Sequence, residues 1–81
     1  MSDLYHIWND LAEWSNETFG KDGPKAALLH LKLEVDEALK EQPESSEFAE
    51  EIADCFMLVL DAGRRGGLTL QNMINDLDKN R

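Results

Sequence analysis

The sequence is short of nearly everything that would define it by a covalent or membrane device. Cys55 is its one cysteine, so no internal disulfide can staple the chain, which suits a reducing cytosol. No apolar run approaches the roughly 18 residues a membrane span requires, and no charged-then-apolar segment opens the chain. Neither secretion nor membrane insertion is expected, and a cytoplasmic location is. Bases are scarce: 8 Lys+Arg stand against 17 Asp+Glu, a net charge of −9. Such a protein repels phosphate backbones, which excludes generic nucleic-acid binding through counterion release. An anionic small molecule is still compatible, provided cations bridge it. Repeats, low-complexity tracts and strand-like alternation of useful length are also missing.

What is present reads as one small globular domain over residues 1–81, with 42% hydrophobic and 31% charged residues. A chain of this length hides only roughly 60% of its unfolded surface. Its core is therefore marginal, and self-association or a metal is the expected supplement. The charge is also localised. Between Glu34 and Asp54 lie nine acids (Glu34, Asp36, Glu37, Glu41, Glu44, Glu47, Glu50, Glu51, Asp54) and one base, Lys40, leaving −8 of the −9 in 21 residues.

Apolar spacing is helical almost throughout. Leu4, Ile7, Trp8, Leu11, Trp14 and Phe19 mark a first helix over residues 3–19, with Ser2 or Asp3 as its cap. Gly20-Lys21-Asp22-Gly23 breaks it. Pro24 opens a second helix to about Glu41, and Gln42-Pro43-Glu44-Ser45-Ser46 is the next break. A third helix is predicted from about Ser46 to Ala62, with Glu47 near its start, Arg64 and Arg65 near its end, and Gly63, Gly66 and Gly67 ending it. Thr69 then caps a fourth, whose stripe is Leu70, Met73, Ile74 and Leu77. The expected fold is all-α: four helices around a central antiparallel hairpin, completed into a bundle by oligomerisation.

Projection of the second and third helices at about 100° per residue is the informative step. His30, Glu34, Glu37 and Glu41 fall in one stripe, flanked by Ala27, Leu31 and Ala38 on one side and Leu29 and Leu33 on the other. Lys32, Asp36 and Lys40 lie elsewhere, on an ordinary solvated face. On the third helix Glu47, Glu50, Glu51, Asp54, Asp61 and Arg65 share one side, opposite Phe48, Ile52, Cys55, Phe56 and Val59. Folded back about Glu44, the hairpin sets Glu34 level with Asp54 and Glu37 level with Glu51. Four carboxylates gathered between packed helices raise one another's pKa values unless a cation sits among them. Oxygen-only ligands of this kind, here Glu34, Glu37, Glu51 and Asp54, suit Mg²⁺ or Mn²⁺.

Glu34-Val35-Asp36-Glu37 and Glu51-Ile52-Ala53-Asp54, with 13 residues between them, resemble the ExxE…ExxD signature of the MazG-like all-α nucleotide pyrophosphatases. Glu50-Glu51 before Ile52-Ala53-Asp54 is similar to the EExxD form found there. The segments HLKLEVDEALKE and EFAEEIADCFMLVLDAGRRGGLT look more specifically like the dATP/dGTP pyrophosphohydrolase branch. The likeness covers residues 24–70 well and the first helix loosely. It implies Mg²⁺-dependent cleavage of a nucleoside triphosphate, purine deoxynucleotides foremost, between the α and β phosphates. Glu37 or Glu50 would then be the general base. Lys79, Asn80 and Arg81 resemble a Lys/Asn/Arg cluster that meets the nucleotide in that branch. The resemblance also implies a homo-oligomer, dimer or tetramer, with each site near a subunit interface.

Plainer readings stand beside these. His30 is either a phosphate or water contact or a satisfied helix histidine. Arg64 and Arg65 either touch phosphate or pair with the helix C-terminus. Trp14 stacks on a base or, with Trp8 and Phe19, belongs to the core or an interface. Cys55 is expected to pack, and Asp61 to support the site from behind or to pair with Arg64 or Arg65. A ferritin-like di-iron centre would need a Glu-x-x-His motif, which the sequence lacks. A non-catalytic acidic interaction module, antitoxin-like or mimicking nucleic-acid charge, explains the net charge but not the mirrored acids.

Overall fold

The computed structural model describes residues 3–19 and 23–80, apart from the side chains of 18 and 19. The expected cap at Ser2, the break at Gly20 to Asp22, the side chain of Phe19 and the contact at Arg81 lie outside the described residues. The chain is all-helical in the order α1 (Leu4–Phe19), α2 (Pro24–Lys40), α3 (Ser46–Arg65) and α4 (Leu70–Lys79). No strand occurs among the described residues, and no helix is long and apolar enough to cross a membrane.

Local chemistry explains each boundary. Asp3 Oδ1 accepts the His6 backbone N–H at 2.8 Å, capping α1. Pro24 fills the first turn of α2, where its missing N–H costs no bond. Ser45 clasps the α2–α3 turn from both sides. Its hydroxyl donates to the Gln42 carbonyl at 2.7 Å and accepts the Phe48 N–H at 3.0 Å. Between them Glu44 takes a left-handed φ of 73°, so the turn is centred on the residue about which the acids mirror. Thr69 and Asn72 form a reciprocal capping box at the start of α4.

α3 runs three residues beyond the expected end at Ala62. A lone glycine costs a helix only about 1 kcal/mol, and Gly63 is used for contact: a β-carbon there would approach Met73 Sδ of α4 to 2.6 Å. The helix stops at Gly66 and Gly67. The Gly67 N–H reaches the Arg64 carbonyl, the Leu68 N–H reaches the Gly63 carbonyl, and Gly67 adopts φ 89°, the paired bonds of a Schellman motif.

By far the most extensive helix contact is α2 on α3. It closes over buried Ala27 and Ala38 and half-buried Leu31, one of the two rows flanking the acidic stripe. The other row, Leu29 and Leu33, faces solvent, as do Leu28 and Leu39. A separate core of Leu11, Leu60 and Leu70, with Leu4, Trp8, Met57, Met73 and Ile74 against it, joins α1, α3 and α4. Each fully buried leucine contributes roughly 1.5–3 kcal/mol, so this cluster is what seats the outer helices. On α3 the row Ile52, Phe56 and Val59 is about half exposed, and Phe56 and Val59 border a hollow of about 340 Å³ shared with α4.

The two left-handed positions give opposite expectations. Gly67→Ala should lower stability by roughly 1 kcal/mol, the cost of a β-carbon in that conformation. Glu44→Gly should hold or raise stability, because glycine relieves the same strain. Urea midpoints of the two variants check the pair.

Candidate metal centre

The α2–α3 packing carries Glu34 to the α3 acids. Glu34, Glu51 and Asp54 each offer a carboxylate oxygen, and the three oxygens lie within 4.8 Å of one another. Glu51 and Asp54 are one turn apart on α3, so both can face Glu34 of α2. Glu34 reaches both α3 acids and hydrogen-bonds Glu51, while Glu37 stands outside the trio yet near enough to bear on the charge of Glu51.

Crowding of like charges has a measurable consequence. The Glu51 carboxyl is pushed up to about 7 from 4.5, first by its hydrogen bond with Glu34, then by burial and the charges of Glu34, Asp54 and Glu37. Glu51 Oε2 is buried without a hydrogen-bond partner among the described residues. Such an acceptor is costly to leave unmade. Three converging carboxylates, one with an orphaned oxygen, fit a hard divalent cation: oxygen-only, anionic and partly open to solvent.

The surroundings of the trio come from three helices. His30 Nε2 lies 3.4 Å from Glu34 Oε1. Trp14 of α1 joins His30, Glu34, Asp54, Met57 and Leu58 around a hollow of about 140 Å³. A second hollow, of about 180 Å³, adjoins it through His30 and Leu58 and extends to Ala26, Ala27, Asp61 and Arg65. Trp14 and His30 are thus brought to the acids.

Other candidate residues take different positions. Glu37 is exposed and 3.5 Å from Lys40 Nζ. Glu50 is exposed, and the charges that bear on Glu51 do not include it. Arg65 is directed inward: its Nε donates to Asp61 Oδ2 at 2.7 Å and a terminal nitrogen to Ser15 Oγ at 2.8 Å. Lys79 pairs with Asp76 at 3.7 Å. Asn80 ends α4 and borders the apolar hollow beside Phe56 and Val59, on the side of α3 opposite the trio.

Two features escaped the sequence pattern. Cys55, assigned to the apolar side, sits one turn from Glu51 and at the edge of the acids. Burial and then the charges of Glu34, Glu51 and Asp54 push its thiol up. Asp61 pairs with both arginines as expected, and the unforeseen partner is Ser15, whose hydroxyl it accepts at 2.6 Å. Burial pushes its carboxyl up, but the bonds from Ser15, Arg65 and Arg64 prevail, and the net shift is down.

The Glu51 shift sets a pH dependence. A carboxyl raised in the folded state holds its proton there after the unfolded chain has lost it. Its stabilising contribution is complete below about pH 4.5 and is lost as pH rises through about 7. In metal-free protein the urea midpoint should decline across that interval, and Glu51→Gln should flatten the decline. An unchanged slope in the variant would assign it to other groups.

A family model described as dATP/dGTP pyrophosphohydrolase matches residues 7–81 and so includes most of α1 together with the hairpin and α4. No curated protein and no solved structure matches the chain significantly.

Proposed function

The chain belongs to the dATP/dGTP pyrophosphohydrolase family, and from that premise we propose that it hydrolyses purine deoxynucleoside triphosphates to the monophosphate and pyrophosphate. The observation that carries this reading is the convergence of Glu34, Glu51 and Asp54. These three residues would hold Mg²⁺, with Mn²⁺ as an alternative, and Glu37 completes the set from the next turn. When bound, the cation supplies charge neutralisation for the triphosphate and orientation of a water toward the α phosphorus.

The chain's own groups account for the remaining steps. A carboxylate takes the proton of the attacking water while the bond from the α phosphorus to the bridging oxygen breaks and pyrophosphate leaves. Of the two candidate bases, Glu37 is better supported than Glu50, since its charge already bears on Glu51. Trp14 and His30 line the hollow beside the acids, which suits a base against the indole and a phosphate or water at the imidazole. Lys79 and Asn80 remain proposed substrate contacts, while Arg65, expected as one, is engaged by Asp61 and Ser15. Arg65 borders the adjoining hollow, whereas Lys79 and Asn80 lie away from the trio within one chain and would serve a site across a subunit interface.

That geometry and the exposed rows Leu29/Leu33 and Ile52/Phe56/Val59 support a homo-oligomer, dimer or tetramer, that completes the bundle. Its proposed setting is cytoplasmic nucleotide turnover.

With Mg²⁺ and each common ribo- and deoxynucleoside triphosphate in turn, the products should be pyrophosphate and monophosphate, with dATP and dGTP cleaved fastest. Release of orthophosphate and diphosphate would overturn the mechanism. Glu34→Gln should cut turnover by roughly 10²-fold or more, the scale of losing one transition-state electrostatic stabiliser. Millimolar Mg²⁺ should also raise the melting temperature of the wild type and leave Glu51→Gln nearly unmoved. Indifference of both proteins to Mg²⁺ would favour the non-catalytic acidic module.

A further inference from the structure

Three side chains are essentially inaccessible among the described residues: Leu11, Ser15 and Asp61. Two of them are polar, and they are bonded to each other across α1 and α3. Asp61 Oδ2 accepts from Ser15 Oγ at 2.6 Å and from Arg65 Nε at 2.7 Å, while Oδ1 accepts from Arg64 at 2.9 Å. Arg65 closes the loop on Ser15 Oγ at 2.8 Å, and Arg64 reaches Asn16 Oδ1 at 3.3 Å. The Arg65 side chain is only 5% exposed.

A buried ionic cluster of this kind is weak evidence for stability, because well-packed apolar residues often serve as well. It differs from them in being directional. The leucine contacts that seat α1 on α3 tolerate sliding and rotation. The Ser15 hydroxyl meets Asp61 and Arg65 at one azimuth and one height only, since a one-residue shift turns the helix by about 100°. Ser15 is the neighbour of Trp14, and Trp14 is the contribution of α1 to the hollow beside Glu34 and Asp54. Asp61 and Arg65 themselves border the adjoining hollow.

We propose that Ser15, Asp61 and Arg65 form a positioning clamp that fixes the indole of Trp14 as the nucleoside-facing wall of the site. The clamp sets substrate binding and leaves the carboxylate chemistry on α2 and α3 alone. This rests on the nucleotide-hydrolysing reading given above for its kinetic consequence. Its structural consequence, the placement of Trp14, is independent of that reading.

The test uses a Trp8→Phe background, so that Trp14 is the only tryptophan, and adds Ser15→Ala. Helicity by circular dichroism confirms the fold. Ser15→Cys, close in volume and a poorer hydrogen-bonding group, replaces it with the same readouts if the alanine variant loses helicity. The KM for dATP should rise about tenfold with kcat changed less than about threefold, the pattern of lost binding without lost chemistry. Acrylamide quenching of Trp14 should increase about twofold, and the Mg²⁺-induced rise in melting temperature should persist. Unchanged quenching and KM in a folded variant would overturn the clamp as a positioning device. So would an equal loss of kcat and of the Mg²⁺ response, because the cluster would then be shaping the acids. If the wild type cleaves no nucleotide, the function above falls, while Trp14 quenching and the Mg²⁺ response still decide the clamp.

Discussion

Everything in this chain depends on how closely α2 can lie on α3. Ala27 and Ala38 are the buried contact residues of α2, and their small side chains let the two backbones approach near enough for carboxylates on facing helices to share a hydrogen bond. Larger residues there would separate the acids and relieve their repulsion. The packing that stabilises the hairpin is therefore also what drives Glu34, Glu51 and Asp54 together. Like charges concentrated in this way oppose the fold that concentrates them, and the raised Glu51 carboxyl reports that opposition.

The hairpin was legible because its determinants are local. Pro24, Ser45 and the Glu44 turn fix where the helices begin and reverse, and helical periodicity then decides which acids face each other. Periodicity does not say which of the facing acids come within reach of one cation: Glu34, Glu51 and Asp54 do, and Glu37 stands outside the trio. The end of α3 also depends on tertiary context. Gly63 looks like a stop signal in isolation, but its lack of a side chain serves the approach of Met73 from α4. Only tertiary context separates a glycine that ends a helix from one that admits a neighbour.

Ser15 was invisible from the sequence because its partners lie 46 and 50 residues away. A serine within an amphipathic helix carries no pattern that marks it as the acceptor and donor of a buried ion cluster. Asp61 and Arg65 at i and i+4 did suggest an ion pair, but an isolated helix would have displayed that pair to solvent. The docking of α1 through Leu11 and Leu60 converts it into an interior contact. The apolar rows of α2 and α3 show the converse: periodicity marks Leu29, Leu33, Ile52, Phe56 and Val59 as residues to be covered, yet one copy of the chain leaves them open.

The clamp also bears on how the protein can change over generations. Asp61 is matched to two guanidinium groups and a hydroxyl at once, and Arg65 is matched to Asp61 and Ser15. Loss of the Asp61 carboxylate would leave the buried Arg65 guanidinium without its counter-charge, at a cost of roughly 3–5 kcal/mol, a large share of the stability of a domain this small. Loss of the Ser15 hydroxyl removes one hydrogen bond and leaves both ion pairs in place. The three positions therefore differ in how freely they can change: the carboxylate is the hub, and the hydroxyl is the adjustable member.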